Sequence, residues 1–89
     1  MASIKIPPSL RPFAKDKAQI IVSGATVGEA INDLLTQCPD LRTYLIKDGQ
    51  LRKFVNIFLD EENVQFLDGL ETPIEADTNL RIIPSIAGG

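Results

Sequence analysis

The sequence predicts a two-layer α+β domain in which one helix covers one face of a single sheet. Three observations predict it. The chain has 89 residues, which is too few for two hydrophobic cores. One segment has a strong helical pattern, and the segments around it alternate between apolar and polar residues. Hydrophobic residues make up 44% and charged residues 24%, an ordinary globular composition, so we expect a single domain over residues 1–89.

Two strands are predicted before the helix. Apolar and polar residues alternate over Ser3–Pro7, which predicts a strand that stops at the two prolines. Residues 10–17 are predicted to form a loop, held to the core by two apolar side chains, Leu10 and Phe13. A second strand is predicted over Ala18–Val22, with an inner face of Ala18, Ile20 and Val22. Because the loop is short, we expect the two strands to form an antiparallel hairpin.

The helix has both an apolar stripe and a start signal. Its stripe follows the i, i+3, i+4 pattern over Val27, Ala30, Ile31, Leu34 and Leu35. Thr26 is placed to cap the N-terminus, and Glu29 completes a capping box. Pro39 disfavours helical geometry at Cys38, so the helix should end there. Asp40 is predicted to cap a short second turn that carries Leu41, Tyr44 and Leu45.

The second half of the chain is predicted to form three strands joined by turns. The predicted strands are Lys53–Leu59, Val64–Leu67 and Leu80–Pro84. The predicted turns and loops cover residues 47–50, 60–63, 68–73 and 76–79. Residues 85–89 then leave the fold, and the element order is β-β-α-β-β-β.

The residue types that are missing exclude most catalytic chemistry. Histidine is absent and Cys38 is the single cysteine, which excludes Ser-His and Cys-His nucleophiles, the usual zinc sites and four-cysteine iron–sulfur clusters. The acidic run 60–62 is a solvated turn rather than a catalytic pair. Residues 23–28 match no phosphate-binding pattern and are expected to be a tight connection. We therefore expect no metal, no bound cofactor and no active site of its own, and a half-buried Cys38 thiol.

Charge is distributed unevenly along the chain. The net charge is −3, with an excess of basic residues before position 54 and of acidic residues from there on, where Arg81 is the single cation. This balance disfavours nucleic acid as a partner and would attract a partner with a basic groove, although the acidic residues could equally serve only to solvate loops. No apolar run reaches membrane-spanning length and no signal-peptide pattern is present, so we expect a cytoplasmic protein.

The last two residues, Gly88 and Gly89, carry the clearest functional signal. Without a Cβ atom, this pair can pass through a narrow channel and present an unhindered carboxyl to another protein's active site. That carboxyl becomes a good electrophile once it is activated as an acyl-adenylate. From spacing alone, an inert chain end is an equal alternative.

A possible partner surface lies on the sheet face that the helix leaves uncovered. The alternation places apolar side chains there, drawn from Phe54, Phe58, Phe66, Ile83 and Ile86. An exposed apolar patch usually marks a protein contact, although loops could instead fold over this face.

Two segments resemble the ThiS/MoaD family of sulfur carriers. The tail Leu80–Gly89 is similar to the family's ending, a strand followed by Pro, an apolar residue, Ala, Gly and Gly. Residues 51–73 resemble the family's Arg-Phe-Val-Asn strand, acidic turn and Asp-Gly-Leu-x-Thr-Pro loop, with Lys53 where the pattern tends to have arginine. The resemblance covers nearly the whole chain, and it is strong from Leu51 onward and weaker before.

The resemblance implies a ubiquitin-like β-grasp fold with a mixed sheet, and a carrier that is not an enzyme. An E1-like enzyme would use ATP to adenylate Gly89, with Gly88 as the threading residue, and sulfur would replace AMP to give a thiocarboxylate. A second enzyme would accept the tail and take the sulfur. The implied docking residues are Phe58, Phe66, Ile83, Pro84, Ile86 and Ala87.

The pathway is open to several interpretations. The N-terminal prolines and the strand around Asn56 most resemble the carrier of thiocarboxylate-dependent cysteine synthesis, whose acceptor would be a cysteine-synthase-like enzyme. A small subunit of molybdopterin synthase, paired with the large subunit, is the main alternative. A thiamine-type carrier ranks third. Outside sulfur transfer, the alternatives are a ubiquitin-like modifier of lysines and a binding module with an inert tail.

Overall fold

The computed structural model describes residues 2–52 and 55–84. The strands are β1 (Ala2–Lys5), β2 (Gln19–Val22), β3 (Ile46–Lys47), β4 (Gln50–Leu51), β5 (Val55–Leu59), β6 (Glu62–Asn63) and β7 (Asn79–Pro84). The α-helices are α1 (Val27–Gln37) and α2 (Arg42–Leu45). Short 3-10 helices cover Pro8–Ala14, Pro39–Leu41, Val64–Phe66 and Gly69–Glu71.

Five strands form a mixed sheet in the order β2-β1-β7-β5-β6. The strand β7 lies at its centre, parallel to β1 and antiparallel to β5, and the β1–β2 hairpin is antiparallel as predicted. The strands β3 and β4 form a separate small hairpin, where the sequence indicated only a turn. The mixed sheet with one main helix confirms the predicted fold class.

The core lies between the inner face of the sheet and α1. Ile4 pairs with Leu80 across the parallel strands, and both side chains are fully buried. The predicted helical stripe is buried along its whole length, and Leu34 within it is completely inaccessible to solvent. Because apolar burial is the main stabilising term in so small a domain, this contact between layers holds the helix on the sheet.

The start of α1 is fixed by the predicted pair of side chains. The Thr26 hydroxyl accepts a hydrogen bond from the Glu29 N–H at 3.2 Å. The Glu29 carboxylate reaches back and accepts from the N–H of Ala25 at 2.9 Å, one residue before the position that a standard capping box uses. The helix ends before Cys38, as Pro39 predicts.

The predicted strand over Val64–Leu67 is wrong. The chain pairs with β5 two residues earlier, through Glu62 and Asn63, and then turns into the 3-10 helix Val64–Phe66. The Asn63 side chain accepts a hydrogen bond from the Gln65 N–H at 2.9 Å, which starts this helix in place of a longer strand.

Smaller differences concern the first half. Ala18 is exposed and lies outside β2, so the inner face of that strand consists of Ile20 and Val22. Most of the predicted 10–17 loop belongs to the 3-10 helix Pro8–Ala14, which Pro8 starts. Asp40 lies inside the 3-10 helix Pro39–Leu41, and neither that helix nor α2 has a side-chain cap. Lys53 and Phe54, predicted to begin the third strand, lie outside the described residues.

Within the described ranges, no helix combines the length and apolar character needed to cross a membrane.

Replacing Thr26 with alanine should lower the free energy of unfolding by about 1 kcal/mol, since the Glu29 N–H loses its partner. Urea denaturation of the purified chain measures this loss. The control is Thr36→Ala, which removes a threonine from an exposed position later in the same helix. Equal stability of Thr26→Ala and the wild type would contradict the capping role.

Candidate partner-docking surface

The outer face of the sheet, opposite α1, brings two of the predicted docking residues together. Along β7 the side chains of Leu80 and Ile82 are buried, so Arg81 and Ile83 point to the outer face. The β5–β7 register places Phe58 opposite Arg81 and Asn56 opposite Ile83. Phe58 and Ile83 therefore lie on the same face, as the alternation predicted.

An arginine covers part of Phe58. The Arg81 guanidinium carbon lies 5.9 Å from the centre of the Phe58 ring, and Nη2 of the same group donates a hydrogen bond to the Asp60 carbonyl at 2.8 Å. Phe58 is consequently half-buried and offers a partner less apolar area than the sequence suggested. Ile83 is more open, with 39% of its surface exposed.

Polar side chains occupy much of the rest of the outer face. The Ser3 hydroxyl donates to the Asn79 carbonyl oxygen at 2.7 Å and accepts from the Gln19 amide at 2.7 Å. The Asn63 amide donates to the Asn56 carbonyl oxygen at 3.0 Å. These cross-strand bonds tie β2, β1 and β7 together at one end of the face and β5 to β6 at the other.

Among the described residues, Phe66 and Ile21 are the most exposed large apolar side chains. Phe66 is 84% exposed, but it lies on the 3-10 helix after β6 and not on a strand. Ile21 is 55% exposed on the edge strand β2, and the sequence analysis did not select it. The signal was present, because Ile21 alternates with the two inward-facing residues of that strand.

A groove of about 260 Å³ opens beside the point where β7 ends. It lies between the end of β1, the first turn of the Pro8–Ala14 helix and the end of β7. We call it the tail-root groove, and its walls include Lys5, Pro8, Arg11, Arg81, Ile83 and Pro84. Pro84 is the last described residue before the glycine-terminated tail.

The tail-root groove contains cations that the sequence analysis did not connect. Lys5 and Arg81 are adjacent because β1 and β7 pair in parallel at this register. Arg11 joins them from the 3-10 helix, held by a hydrogen bond from its Nε to the Ile6 carbonyl at 3.1 Å. In a β-grasp fold the first and last strands pair in parallel, so this topology could have predicted that Lys5 lies beside Arg81.

The predicted sulfur-carrying residues Gly88 and Gly89 lie outside the described residues, as do Ile86 and Ala87. Their roles, and the docking roles of Phe58, Phe66, Ile83 and Pro84, stay predictions.

Other candidate sites have simple structural roles. Cys38 is buried, with 2% of its surface exposed, and is thus less accessible than predicted. A Cβ atom on Gly24 would lie 2.7 Å from the Glu29 Cβ, so the 23–28 connection is tightly packed. In the described part of the chain, no group of acidic or cysteine side chains is placed to hold a metal ion.

Comparison with known proteins decides the family. The family model described as "ThiS family" matches residues 4–89, nearly the whole chain. The chain belongs to the ThiS family. This confirms the resemblance seen in the tail and in residues 51–73.

Individual proteins of similar sequence or structure agree with this assignment. "Sulfur carrier protein CysO" of Mycobacterium tuberculosis is 34% identical, over 98% of this chain and 97% of that protein. A chain of the Amycolatopsis orientalis BexX/CysO complex superimposes with a TM-score of 0.91 at 31% identity and full coverage of both chains. "Small archaeal modifier protein 3" of Haloferax volcanii is 32% identical over 73% of this chain and 71% of that protein. These neighbours confirm the β-grasp fold.

Arg81→Ala should lower the free energy of unfolding by about 1 kcal/mol, because both the hydrogen bond to the Asp60 turn and the contact with Phe58 are lost. Denaturant titration measures the change. Arg42→Ala removes an arginine from an exposed position on α2, outside the five-stranded sheet, and should leave stability nearly unchanged. If the two variants lose the same stability, Arg81 does not have the structural role described above.

Proposed function

We propose that this ThiS family chain is a sulfur carrier, in which the carboxyl of Gly89 is converted to a thiocarboxylate that supplies sulfur for cysteine synthesis. One observation carries the proposal. The central strand β7 ends at Pro84, and the chain then has five residues that finish with two glycines. Full-length similarity to "Sulfur carrier protein CysO" supports the same reading.

The chemistry follows from the properties of a carboxylate. A carboxylate is a poor electrophile, so an oxygen of Gly89 first attacks the α-phosphorus of ATP on a partner enzyme and releases pyrophosphate. The acyl-adenylate then has a good leaving group. A sulfur nucleophile attacks the carbonyl carbon and displaces AMP, which leaves the C-terminal thiocarboxylate. None of these steps needs a catalytic side chain from the carrier, which agrees with a chain that has no histidine.

The fold gives the tail a firm base. The strand that carries the tail lies at the centre of the sheet, because β7 pairs with β1 over Asn79–Arg81 and with β5 up to Pro84, which lies opposite Val55. Five extended residues span at most about 17 Å, which is enough to carry Gly89 from the domain surface into an enclosed site. The absence of Cβ atoms at positions 88 and 89 allows that site to be narrow.

Two partner enzymes follow from this chemistry. The first is an E1-like adenylating enzyme that uses ATP, and the second is a cysteine-synthase-like enzyme that accepts the sulfur. The Amycolatopsis orientalis relative forms a BexX/CysO complex, so a protein of very similar fold does assemble with another chain. The carrier acts as a protein cosubstrate, in the cytoplasm where ATP is available.

The direct test is intact-mass measurement after incubation with the adenylating enzyme, ATP and a sulfide donor. The wild-type chain should gain the mass difference between sulfur and oxygen. The same chain with one alanine added after Gly89 should gain nothing, because its carboxyl no longer follows two glycines. An alanine added before Met1 is the matched control and should leave the reaction unchanged. A wild-type chain without the mass gain would overturn the proposal.

Modification of other proteins is the second candidate, and the likeness to "Small archaeal modifier protein 3" favours it. Attachment through an amide bond to lysine would give adducts in cells that survive thiol reagents. A thiocarboxylate that only donates sulfur gives no such adducts.

The acceptor pathway is identified by incubating the thiocarboxylated chain with either a cysteine-synthase-like enzyme or a molybdopterin synthase large subunit. We expect sulfur release with the cysteine-synthase-like enzyme.

A further inference from the structure

The base of the tail is surrounded by positive charge in the folded protein, although the sequence suggested negative charge there. Counted along the chain, the tail follows an acidic half. In three dimensions, the residues around its base are Lys5, Arg11 and Arg81, and no acidic residue lines the tail-root groove in the described part of the chain. Parallel pairing of the first and last strands produces this arrangement, because it brings Lys5 from the basic half beside Arg81.

The acidic residues nearest to β7 in sequence lie at the opposite end of that strand. Leu59 pairs with Leu80 and Val55 with Pro84, so the acidic turn 60–62 lies beside the start of β7 while the tail leaves from its end. Asp77 also comes just before β7 begins. The domain therefore has an acidic end and a cationic end along the axis of its central strand. Arg81 connects the two, because it lines the groove while its Nη2 donates to the Asp60 carbonyl.

The groove cations retain capacity to bind an anion. Arg11 and Arg81 each donate one hydrogen bond to a backbone carbonyl, which leaves the other N–H groups of each guanidinium. Lys5 is exposed, and its ammonium has no hydrogen-bond or ion-pair partner within residues 2–52 and 55–84. Pro8, Ile83 and Pro84 flank these cations, so the groove offers apolar contact beside the positive charges.

The length of the tail determines whether the bound anion can be the adenylate itself or must be part of the partner protein. An extended tail would place the Gly89 carboxyl, and an AMP attached to it, about 17 Å from Pro84. That distance is too long for the groove to contact the adenylate. When Gly89 occupies a buried active site, the groove faces the surface around the entrance to that site.

We propose that the tail-root groove binds an acidic segment at the rim of the channel through which the adenylating enzyme takes the tail. Carboxylates of that segment pair with Lys5, Arg11 and the free N–H groups of Arg81. The inference rests on the proposed function and adds the chemistry by which the first partner recognises the carrier. Such pairs at a contact edge increase the rate of encounter and favour one docking orientation.

The test compares two double variants with the same change in net charge. K5E/R11E reverses two groove cations, and R42E/K47E reverses two exposed cations outside the groove. Both changes weaken long-range attraction to an acidic partner equally, so a difference between them reports local contact. The readout is the steady-state rate of thiocarboxylation by the adenylating enzyme, followed by intact mass, with urea denaturation of each variant as the folding control.

We expect K5E/R11E to raise the KM for the carrier by about tenfold or more, with little change in kcat, and R42E/K47E to raise it less than about threefold. Added salt should raise the wild-type KM towards that of K5E/R11E. If K5E/R11E folds poorly, the neutral pair K5Q/R11Q should still raise KM by about threefold. Equal KM values for groove and control variants, while the wild type is thiocarboxylated, would overturn the groove's role and leave the carrier function intact. A wild type that is never thiocarboxylated would overturn both.

Discussion

The parallel pairing of β1 with β7 is the constraint on which the rest of the molecule depends. It places the C-terminal strand at the centre of the sheet, where Leu80 and Ile82 on its inner face are buried against α1. The same pairing sets the register of Ile4 against Leu80 and of Lys5 against Arg81. A slip of one residue would expose the inner apolar side chains, so the core fixes this register strongly. The base of the tail and the cations around it are thus fixed by core packing.

This arrangement separates stability from chemistry. Within residues 2–52 and 55–84, the buried side chains that hold the sheet and the helix together lie before Pro84, and the carboxyl that would react lies five residues beyond it. A change at the reactive end therefore need not disturb the core, and the core need not adapt to each partner. Such a division suits a protein that must present the same carboxyl to more than one enzyme. It also explains how a domain of 89 residues with no histidine can take part in acyl activation and sulfur transfer.

Sequence patterns predicted the elements that are determined by residues close together in the chain or by burial of one face. The spacing of the apolar stripe predicted α1, and the pair Thr26 and Glu29 predicted its start, because capping involves neighbours in sequence. The predicted strand over Val64–Leu67 failed because its position depends on pairing with β5, which involves Glu62 and Asn63 instead. Alternation also correctly placed Ile83 on the outer face. It could not show that Arg81 covers Phe58, because that contact joins two strands whose pairing is set by the whole sheet.

The distribution of charge also could not be predicted from local sequence, and here the prediction had the wrong sign at the base of the tail. Summed along the chain, the residues before the tail are acidic, and that sum favours a basic partner. The sheet brings residues from opposite ends of the chain together, so the local charge at the tail's base has the opposite sign. Coulomb interactions at a contact depend on distance and fall off within about 10 Å at moderate salt. A partner that takes up the tail would therefore meet Lys5 and Arg11 first, because the acidic turn lies beside the start of β7, where Arg81 is bonded to Asp60. For this fold, the sign of the charge at the base of the tail follows from strand register rather than from composition.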